Sequence, residues 1–378
     1  VRLAFVLLAV LLVSAACSGE GSPAAPEETA TAAAGTNPDG PARAFAMGFT
    51  PFPYAVTQEA LRTVDEYLAR DGDLVVMHFD NGVPWREAEE GLDYPPAFVG
   101  DVDRAVAAAD AGQVRVLQIT PINFLRDGLA PGAGNAPLQP PWDTRDFDDG
   151  AVISTYLEYA RWMIERTEPD YVNYAIEANL LFEKSPDRWE SFLRLAAAIY
   201  ASLKADYPDI SFFTSIQLDA IATAPEAQME AIEQMLAYSD VVAVSAYPFT
   251  AGVGLEALPG DFLSAVAELA PDKPFAVSET AWPAEDLGPP YPATVPATPG
   301  DQREYLSRLL TECERLGCLF VDWFVVRDYD LLFQDTFAED DPLAAIARIW
   351  RDTGLYDGNG GERPALTLWR EWLARPRR

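Results

Sequence analysis

The feature that most narrows the fold is an alternation repeated eight times from residue 44 onward: a short continuous apolar run, a turn, then an amphipathic stretch. The apolar runs fall at 44–49, 73–79, 114–120, 171–177, 210–217, 241–246, 274–279 and 319–326. Runs without a polar alternate face suit parallel strands covered on both sides by helices. The intervening stretches at 57–70, 99–111, 151–166, 186–206, 225–239, 261–269 and 299–316 predict helices, and two more at 342–352 and 364–373 close the chain. Eight such units predict one (β/α)8 barrel, an α/β TIM-barrel architecture in a single domain over residues 44–378. A doubly wound open sheet is the alternative. It would bring a glycine-rich phosphate loop after an early strand, whereas the turn after the first run reads Thr50-Pro-Phe-Pro-Tyr54.

Active sites of such barrels lie at the C-terminal ends of the strands. Two runs end there in glutamate: Tyr174-Ala-Ile-Glu177 on the fourth and Phe275-Ala-Val-Ser-Glu279 on the seventh. Strands four and seven face each other across the mouth, and two facing carboxyl groups are what acid-assisted cleavage of a glycosidic bond requires. A separation of about 5–5.5 Å suits a retaining mechanism and one of about 6.5–9.5 Å an inverting one. Strand alternation sets Val277 and Phe275 in the interior below Glu279, and Ala175 and Asn173 below Glu177. The second run ends in Met77-His78-Phe79-Asp80-Asn81-Gly-Val-Pro-Trp85. There His78 and Asp80 share a face, Trp85 lies just above, and with Asn81 they are candidate substrate contacts. Gln118 and Thr120 on the third strand, and Gln217 and Asp219 on the fifth, are inward-facing polar candidates. Asp328, after the eighth, is placed to bind a hydroxyl or to pair with Arg327. Long connections after strands three, seven and eight, opposite a rim of tight turns, predict a built-up cleft.

Here the chain resembles the large clan of (β/α)8 glycoside hydrolases whose acid/base glutamate ends strand four and whose nucleophile ends strand seven. Nearest in character are the endo-β-1,4-galactanase-like and related endoglycosidase families. The resemblance spans roughly residues 44–373. It implies Glu177 as acid/base and Glu279 as nucleophile, the latter in a Ser278-Glu279-Thr280 context followed by Trp282. It further implies that Tyr247, in Ser245-Ala-Tyr-Pro-Phe249, hydrogen-bonds the nucleophile, and that Trp323 is the aromatic platform of strand eight. The clan carries an asparagine immediately before the acid/base glutamate, where it binds the sugar 2-hydroxyl. Ile176 stands there instead, and Asn179 is the nearest amide that could replace it.

The N-terminus reads as a targeting segment. Arg2 precedes an apolar run from Leu3 to Val13, then Ser14-Ala15-Ala16-Cys17. The run has the length and small-residue exit of a signal peptide, and Cys17 after small residues resembles a bacterial lipobox, although its third preceding residue is Ser14 rather than leucine. Residues 1–17 are therefore expected to be a lipoprotein signal ending in a lipidated Cys17, with ordinary secretion as the alternative. Acyl chains would anchor the chain by burying methylene groups. Residues 18–43, rich in Ala, Gly, Pro, Ser, Thr and Glu, read as a disordered tether.

A formal charge of −32 disfavours nucleic acid and anionic lipid as partners. Membrane contact is expected only through the lipid anchor, and neither a protein partner nor a cofactor is expected. His78 is the one histidine, so no Cys/His metal set exists. Cys313 and Cys318 remain open between a disulfide, which export permits, and two buried thiols. The expected function is a retaining glycosidase acting on a neutral oligo- or polysaccharide at the cell surface. The alternatives are a non-catalytic glycan-binding lipoprotein on a degenerate barrel, and a barrel enzyme of transglycosylase or lyase type.

Overall fold

A computed structural model describes residues 41–287, 297–336 and 348–378. The expected leader with Cys17, the tether before residue 41 and the first part of the helix expected at 342–352 lie outside these residues. Eight strands, β1 (Ala46–Phe49), β2 (Leu74–Phe79), β3 (Val114–Ile119), β4 (Tyr171–Ala175), β5 (Ser211–Gln217), β6 (Val242–Ala246), β7 (Phe275–Thr280) and β8 (Phe320–Trp323), follow one another in parallel in the order β1-β8-β7-β6-β5-β4-β3-β2. This sequential ring excludes the doubly wound sheet. The ring closes between β1 and β2 through Asp73, whose N–H donates to the Met47 carbonyl at 2.9 Å while its carboxylate accepts from the Met47 N–H at 2.8 Å. A Cβ on Gly48 would lie 2.4 Å from the Leu74 carbonyl oxygen, so this close approach of strands requires glycine.

Helices cover the ring. Pro299–Leu316 and Pro364–Leu373 have the bounds that the sequence predicts. The first starts on a capping box between Thr298 and Asp301, with proline in its first turn, and stops at Gly317 with φ 67°. These are the devices expected to start and stop a helix sharply. The stretch at 261–269 forms only the single turn Ser264–Ala267. Three short helices that periodicity does not reveal, Trp85–Glu90, Asn179–Lys184 and Asp330–Thr336, sit on the loops after β2, β4 and β8. Cys313 and Cys318 are buried free thiols. Among the described residues no helix is long and apolar enough to cross a membrane.

The barrel interior is layered. Ala46, Leu74, Val76, Val116, Phe213, Ala243, Ala276 and Phe320 pack together as an apolar plug. Above it lies a hydrogen-bonded polar floor. Thr50 donates to Asp322 at 2.9 Å, and Asn173 Nδ2 donates to Gln118 Oε1 at 3.1 Å and to Ser215 Oγ at 3.0 Å. Gln118 Nε2 in turn donates to the Ser278 carbonyl at 3.3 Å. Buried polar groups that find partners in this way hold a fixed geometry.

The interior phase of β7 differs from the sequence expectation. Ala276 faces inward, while Phe275 and Val277 pack outward with the helices. Simple alternation from Ala276 would turn Glu279 away from the mouth. Instead the register of β7 slips by one residue against β6, where Val244 pairs Val277 but Ser245 pairs Glu279, and slips again against β8. The extra residue reverses the phase and turns Glu279 into the mouth. A matching slip occurs on β4, where Asn173 pairs Phe213 but Ala175 pairs Thr214. β4 also ends two residues early, because Glu177 takes a left-handed backbone with φ 49°. The first and last described segments meet on the opposite face of the barrel. There the Arg43 N–H donates to the Pro376 carbonyl at 3.0 Å and the Arg378 N–H to the Arg43 carbonyl at 3.1 Å.

Candidate active site

The mouth encloses a cavity of about 540 Å³ whose wall includes both Glu177 and Glu279. That volume is ordinary for a small-ligand site. Glu279 is 7% exposed. Its Oε2 accepts from the Tyr247 hydroxyl at 2.8 Å, and its Oε1 lies 3.5 Å from His78 Nδ1. Burial, with the charge of Glu177, pushes the carboxyl up while His78 and the Tyr247 hydroxyl pull it down, and the balance lies at about 7. Burial also keeps Tyr247 protonated far above neutral pH, so it remains a donor. For His78, burial disfavours the charge, but Asp80 outweighs it, with help from Glu279 and Asp322, and lifts the imidazole to about 9. His78 Nε2 lies 3.7 Å from Asp80 Oδ2. The protonated ring is thus favoured, set between the carboxyl groups of Asp80 and Glu279.

Glu177 is held differently. Its N–H donates to Ser215 Oγ at 2.8 Å, and its Oε2 accepts from Arg126 Nη2 at 3.1 Å. Arg126 belongs to the loop after β3 and also has a left-handed backbone, with φ 57°. Nothing in the period of the sequence marks it, because side-chain direction in an irregular loop follows no alternation. Beside Glu177, Ile176 adds an apolar patch to the wall.

The expected candidates divide sharply. His78, Asp80, Gln217, Asp219 and Tyr247 join the two glutamates on the cavity wall. Asp219 Oδ2 accepts from the Tyr247 N–H at 2.7 Å and from Gln217 Nε2 at 3.1 Å, and burial lifts this carboxyl to about 7. The other candidates lie outside the wall. Trp323 is wholly buried with its indole N–H on the Thr353 carbonyl at 2.9 Å, and the aromatic ring on the wall beyond β8 is that of the next residue, Phe324. Phe52, Tyr329 and Trp350 extend it, with ring centroids 5.8, 6.2 and 6.1 Å from Phe324. Trp282 is buried against Tyr305 and Phe249. Trp85 stacks on Trp142 and donates to the Ala130 carbonyl at 2.8 Å, which makes it a core tryptophan. Asn81 is half-buried below the rim, where its carbonyl accepts from the Asn135 N–H at 2.8 Å. Asn179 is wholly buried, tying Gln217 to Gln228 through bonds of 2.8 and 3.0 Å, and so does not replace the amide displaced by Ile176. Gln118 lies in the polar floor, and Thr120 Oγ1 accepts from the Ile122 N–H at 3.2 Å.

Asp328 is buried on Arg363 and accepts from the Gly354 N–H at 2.8 Å. It lies with Glu285 and Asp352, whose carboxylate oxygens all fall within 4.8 Å of one another. Arg363 contacts Asp328 and Glu285, and Arg351 contacts Asp352 at 2.6 Å, so guanidinium groups already neutralise this cluster.

No protein-family model matches the sequence, and no curated protein matches it. Solved structures do. GH5_18 from Streptomyces cattleya, in complex with GlcNAc, superposes with a TM-score of 0.63 at 17% identity, covering 89% of this chain and 83% of that one. The fold is that of glycoside hydrolase barrels. GH5_18 from Bifidobacterium longum gives 0.63 at 13% identity, with 88% and 81% covered. The exo-β-1,4-mannosidase Op5Man5 from Opitutaceae bacterium strain TAV5 gives 0.61 at 16% identity, with 90% of this chain but 61% of that one covered.

Proposed function

We propose that the chain is a retaining glycoside hydrolase of a neutral oligo- or polysaccharide. The observation that carries this reading is that Glu177 and Glu279, from opposite sides of one barrel, line the same cavity, with a tyrosine hydroxyl donating to Glu279. Glu279 attacks the anomeric carbon as the leaving oxygen takes a proton from Glu177. A water then attacks the glycosyl ester, Glu177 takes its proton, and Glu279 is released with the anomeric configuration retained. The Tyr247 hydroxyl and the His78 cation favour the charged form of Glu279 in a buried setting that opposes it. The Phe52–Phe324–Trp350 wall offers aromatic faces for sugar stacking.

The test is a hydrolysis screen of β-linked oligosaccharides, with β-1,4-mannosides and Manβ1-4GlcNAc first because similar folds are described with them. Proton NMR of the first-formed anomer should show retention, and Glu279→Gln should remove turnover without unfolding the chain. A second reading, a glycan-binding barrel without turnover, draws on the apolar Ile176 beside Glu177. Calorimetric binding by wild type with no product would favour it. Export and lipid attachment at Cys17 are part of the proposal; Cys17→Ser should release the chain from the membrane fraction.

A further inference from the structure

The two carboxyl groups of the site are fixed by unlike means. Glu279 stands on a strand between a tyrosine and a histidine. Glu177 lies two residues past its strand, in a left-handed turn, and among the described residues its carboxylate has one side-chain hydrogen-bond partner, Arg126. We propose that Arg126 is a positioning residue that acts through Glu177, holding Oε2 so that Oε1 is left to give and take the proton at the glycosidic oxygen. The inference rests on the two-glutamate reading above.

The loop that carries Arg126 is built to deliver it. Ile122 and Leu129 form an antiparallel bridge, the Asn123 N–H donates to the Gly128 carbonyl at 2.9 Å, and the Ala130 N–H to the Pro121 carbonyl at 2.7 Å. The Asn123 side chain accepts from the Asp127 N–H at 3.0 Å and donates to the Asp127 carboxylate at 2.7 Å. Arg126 Nη1 is tied to the Asn123 carbonyl at 3.2 Å, which fixes the guanidinium while Nη2 reaches Glu177. The residue is 7% exposed, so water screens the contact little. Lys184, the other cation near this part of the wall, is half-exposed and committed to Glu183 at 2.5 Å. Recruitment of an anionic ligand is a weaker role for Arg126, because Asp80, Asp219 and Glu279 line the same cavity and would repel a further negative charge.

The contact serves both half-reactions. In the first, the bond between the anomeric carbon and the leaving oxygen breaks with its electron pair on that oxygen, which takes the Glu177 proton, while a Glu279 oxygen forms the new bond to carbon. The negative charge left on Glu177 then faces a guanidinium already in place. In the second, water bonds to the anomeric carbon, its proton passes to Glu177, and the ester bond to Glu279 breaks. A charge-assisted hydrogen bond of this kind also fixes orientation.

The experiment compares kcat/KM on two substrates sharing one sugar. The sugar is the most active of the 2,4-dinitrophenyl β-D-mannoside, β-D-glucoside and β-D-galactoside. The first substrate is that dinitrophenyl glycoside, whose phenolate departs without a proton. The second is the corresponding β-1,4-disaccharide, whose alkoxide does not. Arg126→Gln should lose about 10–100-fold on the disaccharide, the loss of one hydrogen bond to a charged group, and little on the dinitrophenyl glycoside. Arg126→Lys should recover part of it, and circular dichroism should show both variants folded. Equal losses on both substrates, or none on either, overturn the inference. Glu177→Ala separates the two levels. If it spares the dinitrophenyl glycoside while Arg126→Gln does not, the role of Arg126 is wrong. If Glu177→Ala harms both substrates alike, or wild type turns over neither, the two-glutamate reading has failed and takes this inference with it.

Discussion

The strand-four and strand-seven sides of the mouth solve one problem in opposite ways. On the strand-seven side the carboxyl is buried on the strand itself and the surroundings raise it to about 7. On the strand-four side the carboxyl sits beyond the strand, in a backbone conformation that costs a non-glycine residue roughly 1–2 kcal/mol, and a loop arginine holds it. Both sides use a register slip just before the glutamate to aim it. The contrast fits the division of labour proposed above. A nucleophile must approach one carbon along a fixed line, whereas an acid/base must exchange its proton with two different oxygens in turn.

The largest effect that tests this division is on the strand-seven side. Glu279→Gln should reduce kcat by about 10⁴-fold or more, in the range seen for lost nucleophiles; retained turnover in a continuous assay would move the nucleophile elsewhere. Next, Tyr247→Phe should cost about 10–100-fold, the value of a hydrogen bond to a charged group. The same change should move the acidic limb of the kcat/KM profile upward from about 7, since the ionised form of Glu279 loses a donor. An unmoved limb would show that another group titrates there.

Stability gives a smaller and opposite effect. The folded-state value of Glu279, about 7, lies above its ordinary value of 4.5, so its contribution to stability is greatest at low pH and is lost as pH rises through about 7. Glu279→Gln should therefore be more stable than wild type at pH 8, by an amount on the order of 1–3 kcal/mol. The gain should shrink below pH 5 in urea titrations. His78 runs in the same direction at higher pH: raised from 6.5 to about 9, it contributes stability below 6.5 that is lost as pH rises through about 9. The smallest effect falls on the strand-four side. Ser215→Ala removes the acceptor of the Glu177 N–H and should cost about 1 kcal/mol of stability, with turnover of the disaccharide reduced more than that of the dinitrophenyl glycoside.

The barrel was legible because buried parallel strands write themselves as apolar runs, and all eight lie where those runs fall. Glu177 and Glu279 were legible as strand-end carboxylates, but for the wrong geometric reason. Counting inward from Glu279 places Val277 and Phe275 in the interior, whereas Ala276 is there. A bulge adds one residue without changing the composition of a run, so alternation cannot reveal it. Trp323 was placed by resemblance alone; it is wholly buried, and Phe324, the next residue, lines the wall. Trp85 and Asn179 were misread because each opens or adjoins a short rim helix that periodicity over six residues cannot disclose. Arg126 was missed entirely, since only the folded loop brings it to Glu177.

The pairing of Arg43 with residues 376–378 has a practical consequence. Residues 43 and 376–378 lie together, on the side facing away from the opening. A tag, a bead linkage or a fusion placed beside residue 43 or residue 378 would leave the opening turned toward solution. An immobilised preparation should then accept long or particulate glycans as readily as the free protein does.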